Sequence, residues 1–136
     1  MSEKQTREKS LMKFRDRAIR KEHMRIIAES GINKRYLTRD FIVKQIEKCT
    51  APRFYMCEEK ARLYVLSYLN GKMHPKTKLK QAMVLDLVEA YQEIIAKYPN
   101  ATKFDIWYKV VRHPAKSFYI SPSRIIEVVY QYHDRK

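Results

Sequence analysis

Two stretches of the chain repeat one another, and this repeat restricts the fold more than any other feature. Ala51-Pro52-Arg53-Phe54-Tyr55-Met56-Cys57 corresponds to Ala115-Lys116-Ser117-Phe118-Tyr119-Ile120-Ser121, and Ile26-Ile27-Ala28 corresponds to Ile94-Ile95-Ala96. Between these anchors Ile42 and Ile46 align with Ile106 and Val110. The Ile-Ile-Ala anchor recurs after 68 residues and the later one after 64, so the first copy carries four extra residues in its 31–38 loop. Self-similarity over such a distance is the mark of a duplicated supersecondary unit.

Hydrophobic periodicity says what the unit is. In the second copy Leu79, Met83, Val84, Leu87, Val88, Tyr91, Ile94 and Ile95 fall at three- and four-residue steps, which places them on one face of a helix over 79–97. Pro99-Asn100 ends it. Thr102 with Asp105 three residues on resembles a capping box, and Ile106, Trp107, Val110 and Val111 then form a short second helix stopped at Pro114. Trp107, on that apolar face, is expected in the core. Ser121-Pro122 opens a third helix, because Ser accepts from free backbone amides and Pro is preset for the first helical position. This helix is expected to reach about residue 133 and to bury Ile125, Ile126, Val129 and Tyr132. The first copy gives helices over 11–29, over 39–48 after the Thr38 cap, and over 58–69, with Asn70-Gly71 as the stop. The expected fold is therefore all-α, two tandem three-helix units resembling helix-turn-helix modules. Residues 1–10 read as a disordered charged tail, 11–71 as the first unit, 72–78 as a linker containing His74-Pro75, and 79–136 as the second unit.

Charge points to a class of partner. The chain has 136 residues, 45% of them hydrophobic, enough for a modest core. Its 29 Lys and Arg against 15 Asp and Glu leave a net charge of +14, a field that concentrates polyanions, so nucleic acid is the expected partner. Cys49 and Cys57 form no CxxC pair, and no His stands at zinc-finger spacing, so reduced thiols and a cytoplasmic setting are expected, with a virion as the alternative. The chain is charged from its third residue, and no apolar run approaches the ~18 residues of a membrane span. Two glycines make a phosphate-cradling loop hard to build, the four histidines are scattered, and Glu58-Glu59 are adjacent and point apart. These features lead to the expectation of a non-enzymatic protein without metal or cofactor.

In helix-turn-helix modules the third helix lies in the major groove, with its first residues on base edges and neighbouring amides and cations on phosphate. Ser121, Ser123 and Arg124 occupy that position in the second copy, with Arg112, His113, Lys116 and Ser117 in the connection before it. Arg binds guanine bidentately, and Ser contacts bases or phosphate. The alternative is that Ser121 only caps and Arg124 is only a solvated charge. The first copy opens its third helix with Cys57-Glu58-Glu59-Lys60, whose carboxylates suit the helix dipole but repel phosphate. Its cations lie elsewhere, on Lys13, Arg15, Arg17, Arg20, Lys21 and Arg25 and on Lys34, Arg35 and Arg39. Residues 1–25 hold nine Lys or Arg against four Asp or Glu. Together with Lys76, Lys78 and Lys80 of the link, they are expected to grip a duplex backbone. One departure from the usual module is the connection between second and third helices, about eight residues rather than the common three or four. Phe54-Tyr55 and Phe118-Tyr119 within it are expected to plug into the core.

Residues 85–136, through the phrase Phe118-Tyr119-Ile120-Ser121-Pro122-Ser123-Arg124-Ile125, resemble the short helix-turn-helix DNA-binding proteins of Bacteroidota and their phages and mobile elements. The resemblance implies DNA binding in a regulatory, replication or packaging setting. Double-stranded DNA is thus the expected partner. A packaging or interaction component that neutralises nucleic acid, with Tyr64, Tyr68, Tyr108 and Tyr130 at subunit interfaces, is the alternative. RNA is a third reading.

Overall fold

A computed structural model of the chain describes residues 3–31 and 37–131, with the side chains of the first helix described from residue 9. Six helices follow in order: α1 (Glu3–Ser30), α2 (Arg39–Lys48), α3 (Glu58–Leu69), α4 (Lys78–Lys97), α5 (Lys103–Arg112) and α6 (Pro122–Val129). The described residues contain no strand. The fold is all-α.

The repeat is expressed in the caps. Helix α2 and helix α5 begin and end 64 residues apart. Thr38 Oγ1 accepts from the Phe41 amide at 3.1 Å, and Thr102 Oγ1 accepts from the Asp105 amide at 3.2 Å. At the other ends the Cys49 and His113 amides donate to Ile46 and Val110. Gly71, at φ +71, supplies the left-handed turn that ends α3, with the Lys72 amide closing back on Ser67 at 2.8 Å.

Two expectations are corrected at the ends of the chain. Residues 3–10 are helical rather than a disordered tail, because Glu, Lys, Gln and Arg are strong helix formers and carry α1 back from Leu11, where its buried side begins. Helix α6 closes at Val129, short of residue 133, and buries Ile125 and Val128, with Ile126 and Val129 half-buried. Tyr132, Lys34 and Arg35 lie outside the described residues. On α4 the core side holds Val84, Leu87, Val88 and Ile94 as expected, while Leu79 and Ile95 are exposed and Ala90 and Asp86 are buried instead.

The helices do not pack in consecutive triplets. Helix α6 packs on α1 and α2, and α3 packs on α4 and α5. Among the described residues, no Cα of α3 comes within 8 Å of α1 or α2, and none of α6 comes within 8 Å of α4 or α5. Each group thus combines two helices of one copy with the third helix of the other. The cause is the long connection. Pro114 pushes His113 into extended conformation, Cys49 is extended at the equivalent place, and the chain runs outward instead of folding back. The two connections cross as an antiparallel pair at equivalent residues. The Ala51 amide donates to the Ala115 carbonyl and the Ala115 amide to the Ala51 carbonyl, both at 2.9 Å. This places an approximate two-fold axis between the two alanines, each 2% exposed.

Past the crossing, Phe54, Met56, Phe118 and Ile120 are buried and hold the exchanged helices in place, at roughly 1.5–3 kcal/mol each. Tyr55 lies near-parallel to Phe118 at 6.2 Å. One hydrophobic cluster runs through both groups, from Ile19 and Ile46 to Val110 and Ile125. Trp107 belongs to it, stacked on Tyr91 at 4.9 Å with 6° between the rings. The two connections differ in backbone at Tyr119. Tyr119 takes a left-handed φ of +56, a conformation that costs a non-glycine residue about 1–2 kcal/mol. Its hydroxyl donates to the buried Asp86 carboxylate at 2.6 Å, and the Lys116 amide donates to the same oxygen at 2.8 Å. Burial and this bond push the Tyr119 hydroxyl pKa up. At the position equivalent to Asp86 the first copy has Ala18.

Candidate nucleic-acid interface

The basic first helix sorts its cations by face. Arg15 turns inward, its side chain 14% exposed, and pairs with Asp16 at 3.1 Å. Arg25 lies between Glu22 at 2.8 Å and Glu29 at 2.6 Å, and these carboxylates push its pKa up. Lys13, Arg17 and Lys21, at four-residue spacing, share the exposed face, with Arg20 half-buried beside them. The strip covers about 12 Å at 1.5 Å per residue. The Arg17 guanidinium lies 5.8 Å from the Phe14 ring, which leaves the charge at the surface.

Helix α6 lies along the flank of this strip and runs in the same direction. Arg124 Nη2 is 3.8 Å from Asp16 of α1, and Tyr130 meets His23, two turns further along α1, edge-on at 5.4 Å. His23 is half-buried there, and burial lowers its pKa. The exchange therefore joins two sets of residues that the sequence placed in different units. Arg124 at the start of α6 reaches Asp16 of α1, which precedes Arg17 and stands one helical turn before Arg20. Ser121 is the N-cap, its Oγ accepting from the Arg124 amide at 3.3 Å. The Arg124 side chain is half-exposed and also reaches Glu127 at 2.5 Å. The exposed pair with Glu127 is worth about 0–1 kcal/mol, so an entering phosphate or guanine can displace that carboxylate.

Arg112 and Lys116 go elsewhere. Arg112 bonds the Tyr108 carbonyl at 3.1 Å, lies 3.6 Å from the Tyr108 ring centroid, and approaches Glu58 of α3 at 3.7 Å. Lys116 meets Glu89 of α4 at 2.5 Å, which pushes its pKa up, and its surroundings on α4 also include Asp86 and Glu93. Lys76, Lys78 and Lys80 are exposed around the start of α4, where Thr77 caps the helix and the Lys80 ammonium lies 5.0 Å from the Tyr64 ring of α3. The expected cations thus divide between the two helix groups. Lys13, Arg17, Arg20, Lys21 and Arg124 stand on one, and Lys76, Lys78, Lys80, Arg112 and Lys116 on the other.

A further basic feature escaped the sequence reading. Arg15, Arg53, Lys60, Tyr55, Tyr64 and Phe118 line a groove where α1 passes the crossing segments. Arg53 is held by the Phe54 carbonyl at 3.0 Å, and its pKa is lowered by burial and by the neighbouring charge of Arg112. The alternation of Phe-Tyr pairs with Arg53 and Lys60 was the available signal, but only the crossing brings Arg15 to it.

Among the described residues no three His, Cys, Asp or Glu side chains converge as a metal site, and no helix is long and apolar enough to cross a membrane. Comparison with family models, curated proteins and solved structures finds no match.

Proposed function

We propose that this chain is a non-enzymatic binder of double-stranded DNA, in which the exposed strip of α1 holds phosphates and the first turn of α6 enters the groove beside it. The observation that carries the reading is the approach of Arg124 to Asp16, which brings the start of α6 alongside the Lys13–Arg17–Lys21 face. A helix start with Ser123 and Arg124 exposed, flanked by cations on a neighbouring helix, has the elements of groove reading with backbone positioning. The net charge of +14 and the resemblance of residues 85–136 to short helix-turn-helix proteins agree with it. The proposed DNA-facing helix pair is assembled across the two copies, α6 against α1, instead of along one continuous motif.

A competition assay with cognate and random duplexes tests the division of roles. Arg124→Ala should relax sequence preference and cost on the order of 1–3 kcal/mol at the base pair it reads. Replacing Arg17 and Arg20 together should weaken binding to all sequences alike. Equal, sequence-blind losses from both would favour the second reading, a packaging component that neutralises nucleic acid without reading it. The exposed Tyr68 and Tyr108 are the observation on that side.

A further inference from the structure

Helix α5 carries a column of exposed side chains. Phe104, Tyr108 and Arg112 follow one another at four-residue steps along one side of the helix, beside the buried face of Trp107, Val110 and Val111. Phe104 is 70% exposed and Tyr108 46% exposed. Their ring centroids are 6.3 Å apart with 30° between the planes, and the Arg112 guanidinium lies 3.6 Å from the Tyr108 centroid.

The repeat provides an internal control. Helix α2 occupies the same position in the other helix group, has the same length and caps, and carries Asp40, Lys44 and Lys48 at the three equivalent places, all exposed. A helix at this place in the fold therefore needs no aromatic residues there. The rings at 104 and 108 gain little burial and answer to something outside the chain.

We propose that this face of α5 is a second nucleic-acid site, which stacks unpaired bases of single-stranded DNA on Phe104 and Tyr108. Three features identify the occupant. Every base offers a π-face, and stacking on exposed rings is sequence-tolerant. Cations suited to a phosphodiester backbone stand beside the column, Arg112 on the Tyr108 ring with Arg53 near both, and Lys103 next to Phe104 in the sequence, against the carboxylates of Asp105 and Glu58. Phe104, 70% exposed and only loosely stacked on Tyr108, also leaves a ring face open to a base. The site lies on the α3–α4–α5 group, whereas the duplex surface lies on α1 and α6, so the proposal stands independently of the duplex reading.

The experiment is fluorescence anisotropy with a labelled oligo-dT, run beside a duplex titration and sedimentation of the free protein. Two variants are compared with the wild type: Phe104→Ala with Tyr108→Ala, and Phe104→Asp with Tyr108→Lys, which installs the residues that α2 tolerates and leaves the net charge unchanged. Both should keep the helical circular dichroism and the duplex affinity, and both should lose oligo-dT affinity on the order of tenfold or more. Wild-type protein that does not bind oligo-dT, or variants that bind it as well as wild type, would overturn the proposal. A wild-type dimer that dissociates in the variants with oligo-dT binding unchanged would also overturn it and make the column an interface between copies. Tighter capture of oligo-rU than of oligo-dT would overturn the assignment to DNA. Loss of duplex binding alone, in a protein whose α1 strip has been neutralised, bears on the proposed function and leaves this site standing.

Discussion

Replacing Lys13, Arg17 and Lys21 with alanine removes the outward face of α1 and touches nothing in the core. All three side chains are exposed. Alanine is the best helix former, so the variant should fold with an unchanged or slightly raised melting temperature. The effect on DNA binding follows from spacing and charge. The strip covers about 12 Å, and phosphates along one strand advance about 3.4 Å per nucleotide, so three cations at four-residue steps can each neutralise a separate phosphate. Each neutralised phosphate contributes about 0.9 to the slope of log affinity against log salt. Loss of all three should flatten that slope by about 2.7. At 0.1 M salt it should lower affinity by on the order of 500-fold if every contact is complete.

The assay is a duplex titration at four or five salt concentrations between 50 and 300 mM, with wild type and variant side by side. A shift in affinity without a change of slope would mean that the residues act through structure rather than counterion release. If slope and affinity both stayed within error of wild type, α1 would not face the duplex. The reading built on the contact between α6 and α1 would then be wrong.

Three further outcomes concern the fold that positions these surfaces. Trp107→Ala should cost about 3–5 kcal/mol in urea denaturation, since it empties a buried site and removes the stack on Tyr91, and wild-type fluorescence should show the blue-shifted maximum of a buried indole. Tyr119→Phe should cost about 1.5–3 kcal/mol by the same measurement, because it removes a donor to the buried Asp86 carboxylate and leaves the Lys116 amide as the donor that remains among those described here. His23 is held below its ordinary pKa by burial, so its neutral form is favoured in the folded chain. The stability it supports is full above pH ~6.5 and falls as pH drops through the lower folded-state value, and His23→Gln should flatten that part of the stability profile between pH 7 and 5.

Much of the helical framework is legible from sequence, for identifiable reasons. Helices α2 and α3 have the expected bounds, since Thr38 caps one and Asn70-Gly71 stops the other, and these are short-range signals that tertiary packing does not override. Trp107 sits where the apolar face of α5 puts it. The signals that failed were those that depend on partners. Ser121 was legible as a cap from its neighbour Pro122, but the carboxylates around Arg124, Lys116 and Arg112 come from α1, α4 and α3, and no local pattern names them. Nothing in the sequence around Asp86 marks it as buried. Only the left-handed turn at Tyr119, 33 residues away, makes it a buried acceptor.

The exchange of third helices escaped the sequence reading for a deeper reason. In a duplicated chain the third helix of either copy presents nearly the same apolar side to the same pair of partner helices. Exchanged and unexchanged arrangements therefore bury nearly the same residues, and hydrophobic periodicity is blind to the difference. What separates them is the connection. An extended segment of about eight residues with a proline near its start cannot make the tight return of an ordinary helix-turn-helix, but it can cross a matching segment and satisfy its amides there, as Ala51 and Ala115 do. The crossing has an electrostatic consequence that follows from the repeat's divergence. Cys57-Glu58-Glu59 now opens a helix that lies on α4, and Ser121-Pro122-Ser123-Arg124 opens one that lies on the basic α1. Had the chain folded back on itself, the acidic helix start would lie against the basic strip and oppose phosphate there. The exchange moves those carboxylates to the other helix group and gives α1 a neighbour whose first turn is neutral or positive.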